Sequence, residues 1–353
     1  MSAGCPLNIL YVFHGQQKAC ISITLLASIL FGLQYCDAAD SARAGTLEEY
    51  LKGLGYEAAE FERTEHAQDF VEGALGDGRK HTFLLDTGWG NTALSKSAAR
   101  GLKQLNPAAD SRVQLVDSNT NAEIVLMGKL TLGQVQFLNQ PARVEELRAD
   151  YIRLPFDAVL GCDFLFRNFC LIDCYKHRLY AHKTPPSDEQ TRALETTLRL
   201  SGFAEVPIDA RFLLTVETEI NGQQVRLALD TGAACDEIDD SQLKRLGLTI
   251  IKSDQATTGS LIPQDMGAAV LGVGSIGRHG LKVTKVNTFR LGSHNWKNLY
   301  FGVADLKAWH LAKPGTEGEA VKGLLCQPTL AAHGALIDIA RQKLWLRPEK
   351  PSR

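Results

Sequence analysis

The chain has 353 residues, 44% of them hydrophobic, and a formal net charge of −2. That is enough apolar material for two ordinary domains. The near-neutral, well-mixed charge excludes the basic footprint of a nucleic-acid binder and offers no solvating acidic tail.

Residues 1–39 read as a signal peptide or an N-terminal anchor. Lys18 precedes the apolar stretch "ACISITLLASILFGLQY" (Ala19–Tyr35), and small residues follow around Cys36 and Ala38. This pattern fits a secretory signal; an uncleaved span ordinarily needs about 20 apolar residues. The expectation is an exported chain, periplasmic or secreted, with no stable membrane span once mature; a membrane-anchored form is the alternative. Cys5, Cys20 and Cys36 fall in or beside this segment. The other cysteines are Cys162, Cys170, Cys174, Cys235 and Cys326, an odd number, so at least one is free or pairs between chains.

A first lobe is expected over 40–184. It opens on a short helix with Leu47, Leu51 and Leu54 on one face. A turn at Asp77-Gly78 leads into the apolar run Phe83-Leu84-Leu85, which ends on Asp86-Thr87-Gly88-Trp89. Strand-length apolar runs continue to "FDAVLGCDFLFRNFCLID". A linker is expected over 185–193, beginning at Pro185-Pro186. The second lobe, 194–349, again opens on a helical stretch. Asn221-Gly222 is a strong two-residue hairpin signal. Leu227-Ala228-Leu229 then ends on Asp230-Thr231-Gly232. A G-x-G-x-x-G run over Gly272–Gly277 lacks the following helix and the acidic residue of a dinucleotide site, so it reads as a loop. No cysteine or histidine spacing suits zinc. Neither a metal nor another cofactor is expected.

The chain repeats itself once. Leu47–Phe61 resembles Leu194–Ile208, Asp86 corresponds to Asp230, and "LIDCYKHRLY" (Leu171–Tyr180) corresponds to "LIDIARQKLW" (Leu336–Trp345). The offset is 144 at the two aspartates and 165 at the ends, so the second copy carries 21 extra residues between them. Neither copy alternates strand and helix as a parallel doubly wound sheet does. The fold class expected is mainly β with short helices, in two pseudo-symmetric barrel-like lobes.

Each aspartate thus ends a buried strand and precedes a threonine, whose hydroxyl can lock a loop, and a glycine, which lets backbone N–H groups approach closely. If the lobes face each other, the two carboxylates meet. Within about 3 Å they cannot both ionise easily and share a proton, one serving as general acid and the other as general base on a water.

These residues resemble the retropepsin-like and pepsin-like aspartic proteases, in the single-chain, two-lobed form. That family follows each Asp-Thr-Gly loop, later in its lobe, with two hydrophobic residues and a glycine before a short helix. Val159-Leu160-Gly161 stands there in the first lobe and Leu324-Leu325-Cys326 in the second. The resemblance covers about Leu47–Arg347. It implies that Asp86 and Asp230 form a catalytic dyad hydrolysing peptide bonds. Thr87 and Thr231 would brace the loops across the interface, and Gly88 and Gly232 would bring backbone donors near the carboxylates. A flap would come from Arg112–Leu130, with a counterpart in Thr257–Gly267. The partner implied is a peptide or protein substrate, and a monomer suffices because both half-sites lie on one chain.

Two residues depart from the family pattern. Trp89 follows the first Asp-Thr-Gly where a small residue is usual, so its indole would fill part of the cleft or turn outward onto the flap. Cys326 replaces the glycine of the second motif and must find room beside the loop of Asp230. By the same resemblance Cys326 lies near Cys235, and the pair is either a disulfide or two buried thiols. Trp89 and Cys326 also define the rival function, a protease fold without catalysis that binds peptides or a protein partner through the cleft.

Overall fold

The structure, a computed structural model, describes residues 46–63, 68–105, 123–147, 156–211, 213–251, 282–306 and 320–348. The expected signal segment, the second flap-like stretch Thr257–Gly267, the Gly272–Gly277 run and residues 112–122 of the first flap lie outside the described residues. Leu47–Arg353 forms one compact unit. Among the described residues no helix is long and apolar enough to cross a membrane.

Among the described residues three sheets make the fold, which is mainly β with two lobes. In the first lobe the motif strand Ala158–Leu160 lies between two others. It runs parallel to Lys80–Leu85, which carries Asp86 at its end, and antiparallel to Ala93–Ser95. In the second lobe Gly323–Cys326 has the same neighbours: parallel to Gln223–Asp230 and antiparallel to Glu237–Asp239. A parallel pair needs a long crossover, which explains why each motif lies so far along the chain from its Asp-Thr-Gly. Phe83, Leu84 and Leu85 are all buried, as are Leu227, Ala228 and Leu229, so both faces of these strands are covered and the sequence shows an unbroken apolar run.

The second lobe closes into a barrel because Thr215–Ile220 pairs both with Gln223–Asp230 and with Lys282–Leu291. Its first hairpin turns through Asn221 and Gly222, with φ of 49° and 80°. Ile220 stands opposite Gln223 there, as a two-residue turn of this kind requires.

A six-stranded sheet joins the two copies. Its order is Glu57–Glu60, Arg178–Ala181, Leu171–Asp173, Ala335–Asp338, Lys343–Leu346 and Ala204–Pro207. The first three strands come from one copy and the last three from the other. At the centre Leu171 faces Asp338, Ile172 faces Ile337 and Asp173 faces Leu336. Two helices, Leu47–Gly53 and Asp188–Leu200, bury Leu51, Leu194 and Leu198 with Leu171, Tyr180, Leu336 and Trp345 of this sheet.

The second helix corrects the expected linker. It begins at Asp188, inside the segment 185–193, because Ser187 caps it: Gln190 N donates to the Ser187 hydroxyl, and the Gln190 side chain accepts from Ser187 N. This reciprocal cap satisfies two otherwise orphaned backbone donors. The Gln190 amide also donates to Leu54 O at 2.8 Å, tying the second copy's helix to the end of the first copy's.

Candidate active site

Asp86 and Asp230 sit at the ends of their strands, and each lies against the glycine of the other's loop, close enough for the two carboxyls to interact. Each carboxyl also accepts from its own loop. Gly88 N donates to Asp86 Oδ1 at 2.7 Å. Gly232 N and Ala233 N each donate to Asp230 Oδ1 at 2.9 Å.

The threonines cross between the loops. Thr87 Oγ1 donates to Leu229 O at 2.8 Å and accepts from Thr231 N at 3.0 Å. Thr231 Oγ1 donates to Leu85 O at 2.8 Å and accepts from Thr87 N at 3.0 Å. Four hydrogen bonds among buried groups therefore fix the two loops against each other, using the hydroxyl and the N–H of both threonines.

The glycines are required by space. A Cβ on Gly88 would lie 2.7 Å from the carboxyl carbon of Asp230, and one on Gly232 would lie 2.3 Å from that of Asp86. Each glycine thus packs against the opposite lobe's aspartate. No other residue permits that approach.

Burial pushes both carboxyls up. Asp86 stands well above the ordinary carboxylate range, driven first by desolvation and then by the Asp230 charge. Asp230 is raised less: desolvation is opposed by the Ala233 and Gly232 N–H groups and by the hydrogen bond from Asp86. The arrangement therefore favours one proton shared by the pair over two charges. The pair titrates as a unit.

Two residues missed in the sequence also touch the loops. The Gln68 side chain donates to Gly232 O at 2.9 Å, reaching from the first lobe to the second lobe's loop. Beside it, buried Asp69 accepts from Arg63 at 3.1 Å and from the Gln327 amide. The Cys162 thiol donates to Thr87 O at 3.1 Å, and burial together with the two aspartates keeps it protonated. Cys162 had a usable signal, since it directly follows the Gly161 motif. Gln68 had none, because no local pattern marks a glutamine that bonds 164 residues away.

The two motif glycine positions behave differently. A Cβ on Gly161 would meet the Asn91 carbonyl carbon at 2.7 Å and Trp89 O at 2.8 Å. The first lobe therefore closes by backbone bonds, Cys162 N to Trp89 O at 2.8 Å and Asp163 N to Gly90 O at 3.2 Å. Cys326 does carry a Cβ and is fully buried among Ala228, Ala233, Val321 and Leu324. Its lobe is tied instead through a side chain: Asp236 accepts from Cys326 N at 2.8 Å and from Thr329 Oγ1. In the first lobe the roles are reversed, with Thr92 donating through both N and Oγ1 to Asp163, at 2.6 and 2.7 Å.

Cys235 and Cys326 are both free and buried, so the disulfide alternative is replaced by two thiols. Trp89 is half-buried against the cluster of Phe70, Leu84, Ala93, Phe156 and Val159. Among the described residues one acidic trio, Asp239, Asp240 and Asp305, has the spacing to hold a cation. Both Asp239 oxygens already accept backbone N–H groups, from Ser241 and Leu306.

A two-lobed β fold with paired Asp-Thr-Gly loops meeting across a pseudo-twofold axis defines an acid-protease-type protein. Residues 71–164 and 216–329 match the family model described as "Aspartyl protease", one segment in each copy. The chain belongs to the aspartyl protease family. A solved aspartic proteinase from Irpex lacteus is similar to it at 13% sequence identity and a TM-score of 0.48, over 84% of this chain and 98% of that one. No curated protein matches the chain.

Proposed function

We propose that the protein is an aspartic endopeptidase in which Asp86 and Asp230 activate a water against a peptide carbonyl. Asp230, the less raised of the two, takes a proton from the water as its oxygen attacks the carbonyl carbon. Asp86 gives its proton to the carbonyl oxygen. The resulting tetrahedral intermediate collapses as a proton passes to the leaving nitrogen. No cofactor enters this reading, and one chain supplies both carboxyls, so it acts as a monomer. Export follows from the stretch Ala19–Tyr35.

The observation that carries the proposal is the adjacent pair of buried carboxyls, each packed against the other loop's glycine and held by reciprocal threonine bonds. The rival reading, binding without catalysis, rests on Trp89 and Cys326. Against it, Asp230 keeps both backbone donors, from Gly232 and Ala233, despite the cysteine in its lobe. The test is digestion of a mixed peptide library from acidic to neutral pH with the wild type, Asp86→Asn and Asp230→Asn. Cleavage abolished by either change supports the dyad. A folded wild type that cleaves nothing at any pH favours the rival.

A further inference from the structure

The face of the second lobe's sheet that carries Asp230 holds another acid. Side chains alternate along a strand. A Cβ on Gly323 would meet the side chains of both Leu227 and Ile238, at 2.7 and 3.3 Å, so those two share the core face. Glu237, next to Ile238, therefore points to the other face, with Ala228 and Asp230. The register aligns it there: Leu324 stands opposite both Ala228 and Glu237, giving the row Ala228, Leu324, Glu237. Asp230 and Cys326 form the next row. Glu237 thus lies two strand spacings, roughly 10 Å, from the strand of Asp230.

Glu237 is fully buried, and neither of its carboxyl oxygens has a hydrogen-bond partner. The charges that act on it are Asp230 and Asp236, both of its own sign. A buried carboxyl left in this condition is costly and calls for an explanation. The first lobe shows what the position looks like without that cost. Its equivalent row is apolar over Leu84, Val159 and Ala93 and continues to Arg143. There Leu84 and Trp89, with Phe70 and Phe156, fill the space. The second lobe has Ala228 in place of Leu84 and Ala233 in place of Trp89. Two large side chains are replaced by alanines and one unpaired acid is gained, so this face of the second lobe differs from the first in both bulk and polarity.

We infer that the sheet face beside Asp230 is a binding site for a lysine or arginine side chain of a peptide, with Glu237 as its counter-ion. This rests on the reading of the interlobe cleft as a peptide site. An arriving ammonium or guanidinium supplies the donors that both carboxyl oxygens lack, and its long aliphatic stem lies along Leu324 and Ala228. The first lobe's row continues instead to a buried cation, Arg143 opposite Ala93, so the two lobes differ in charge at this position and the preference is one-sided.

The test uses the full chain carrying Asp86→Asn, so that peptides persist, and measures fluorescence anisotropy with matched labelled peptides. These carry lysine, arginine, citrulline or norleucine at one scanned position. At one position lysine or arginine is expected to bind at least about thirtyfold tighter than norleucine, the loss typical of an unpaired buried charge. Arginine should exceed its neutral isostere citrulline likewise. Glu237→Gln and Glu237→Ala should erase the preference while keeping the affinity for the norleucine peptide. Equal binding of arginine and citrulline peptides in the parent chain overturns the inference, whether or not the Glu237 variants fold. So does a preference that survives both variants, or the absence of any peptide binding. Digestion of the same peptides by the chain with Asp86 intact is read separately: cation-selective binding without cleavage rejects the hydrolase and leaves the site standing.

Discussion

Ile172 lies directly opposite Ile337 at the centre of the six-stranded sheet, and the two are the same residue of the two copies. A residue paired with its own repeat equivalent marks the axis that relates the lobes. The same axis relates Thr87 to Thr231 and Asp86 to Asp230, so the sheet and the loops answer to one symmetry. The predictions below follow from the contacts that this symmetry creates.

Removing one threonine hydroxyl strips two of the four crossed bonds. It leaves a buried carbonyl, Leu229 O or Leu85 O, and a buried N–H without partners. Thr87→Ala and Thr231→Ala should each cost about 2–3 kcal/mol. Serine at either position keeps the bonds and should cost less than about 1 kcal/mol. Urea unfolding of the four variants measures this, and equal losses for serine and alanine would count against the crossed bonds.

Gly88→Ala and Gly232→Ala should act on the opposite lobe. Each new methyl pushes the facing aspartate away from its partner, Asp230 in the first case and Asp86 in the second. Displacement by about 1 Å is worth about 100-fold in rate, so kcat should fall by at least that in both variants. A variant that retained full kcat would show that the glycine does not touch the carboxyl.

The dependence of stability on pH has a definite sign. Burial pushes Asp69 and Asp236 up to about 7 and Glu237 up to about 8. Groups whose folded values are raised bind more protons in the folded state. Their stabilising contribution is complete below the unfolded carboxylate range and is lost as pH rises through the folded values. The melting temperature should therefore fall between about pH 4 and pH 8. Glu237→Gln should flatten the upper part of that fall, by a few kcal/mol at most. Thermal scans across this range decide it; stability rising toward pH 8 would contradict the burial of these three acids.

Hydrolysis should have an alkaline limb above the ordinary carboxylate range, because burial and the neighbouring charge hold the proton that the pair shares. Its acid limb reports protonation of the carboxylate that remains in the pair. The pH profile of kcat/KM locates both limbs, and they belong to the pair.

Gln68 couples the first lobe to the second lobe's loop through a single bond to Gly232 O. Gln68→Ala should lower kcat about tenfold and cost about 1 kcal/mol of stability. Gln68→Glu, which presents oxygen to oxygen, should do no better. Kinetics and unfolding on the same preparations separate the loop effect from general loosening.

Much of this architecture was written in the sequence, for a physical reason. The fully buried strands ending on Asp86 and Asp230 show as unbroken apolar runs, and Asn221-Gly222 announces its turn because few residue pairs accept those angles. The repeat was visible because a shared sheet keeps Leu171–Asp173 and Ala335–Asp338 alike. What was not visible is what depends on distant partners. Gln68 bonds across the lobes, and Asp236 takes over the closure that Cys326 denies to the backbone. Glu237 reads locally as an ordinary polar residue after an acid; only the register places it beside Leu324, in the row where the first lobe has Ala93. Ser187 was legible as a cap, but Pro185-Pro186 drew the linker past it.

The reversed pairing of hydroxyl and acid, Thr92 with Asp163 in one lobe and Asp236 with Thr329 in the other, makes the two copies non-interchangeable. A graft of the second lobe's helix onto the first lobe's strand would set Thr92 against Thr329, with no carboxylate between them. The reciprocal graft would set Asp236 against Asp163, two acids competing for one donor. Ancestry made the halves alike, but each has since locked its own closure, and hybrids between them would come apart at that joint.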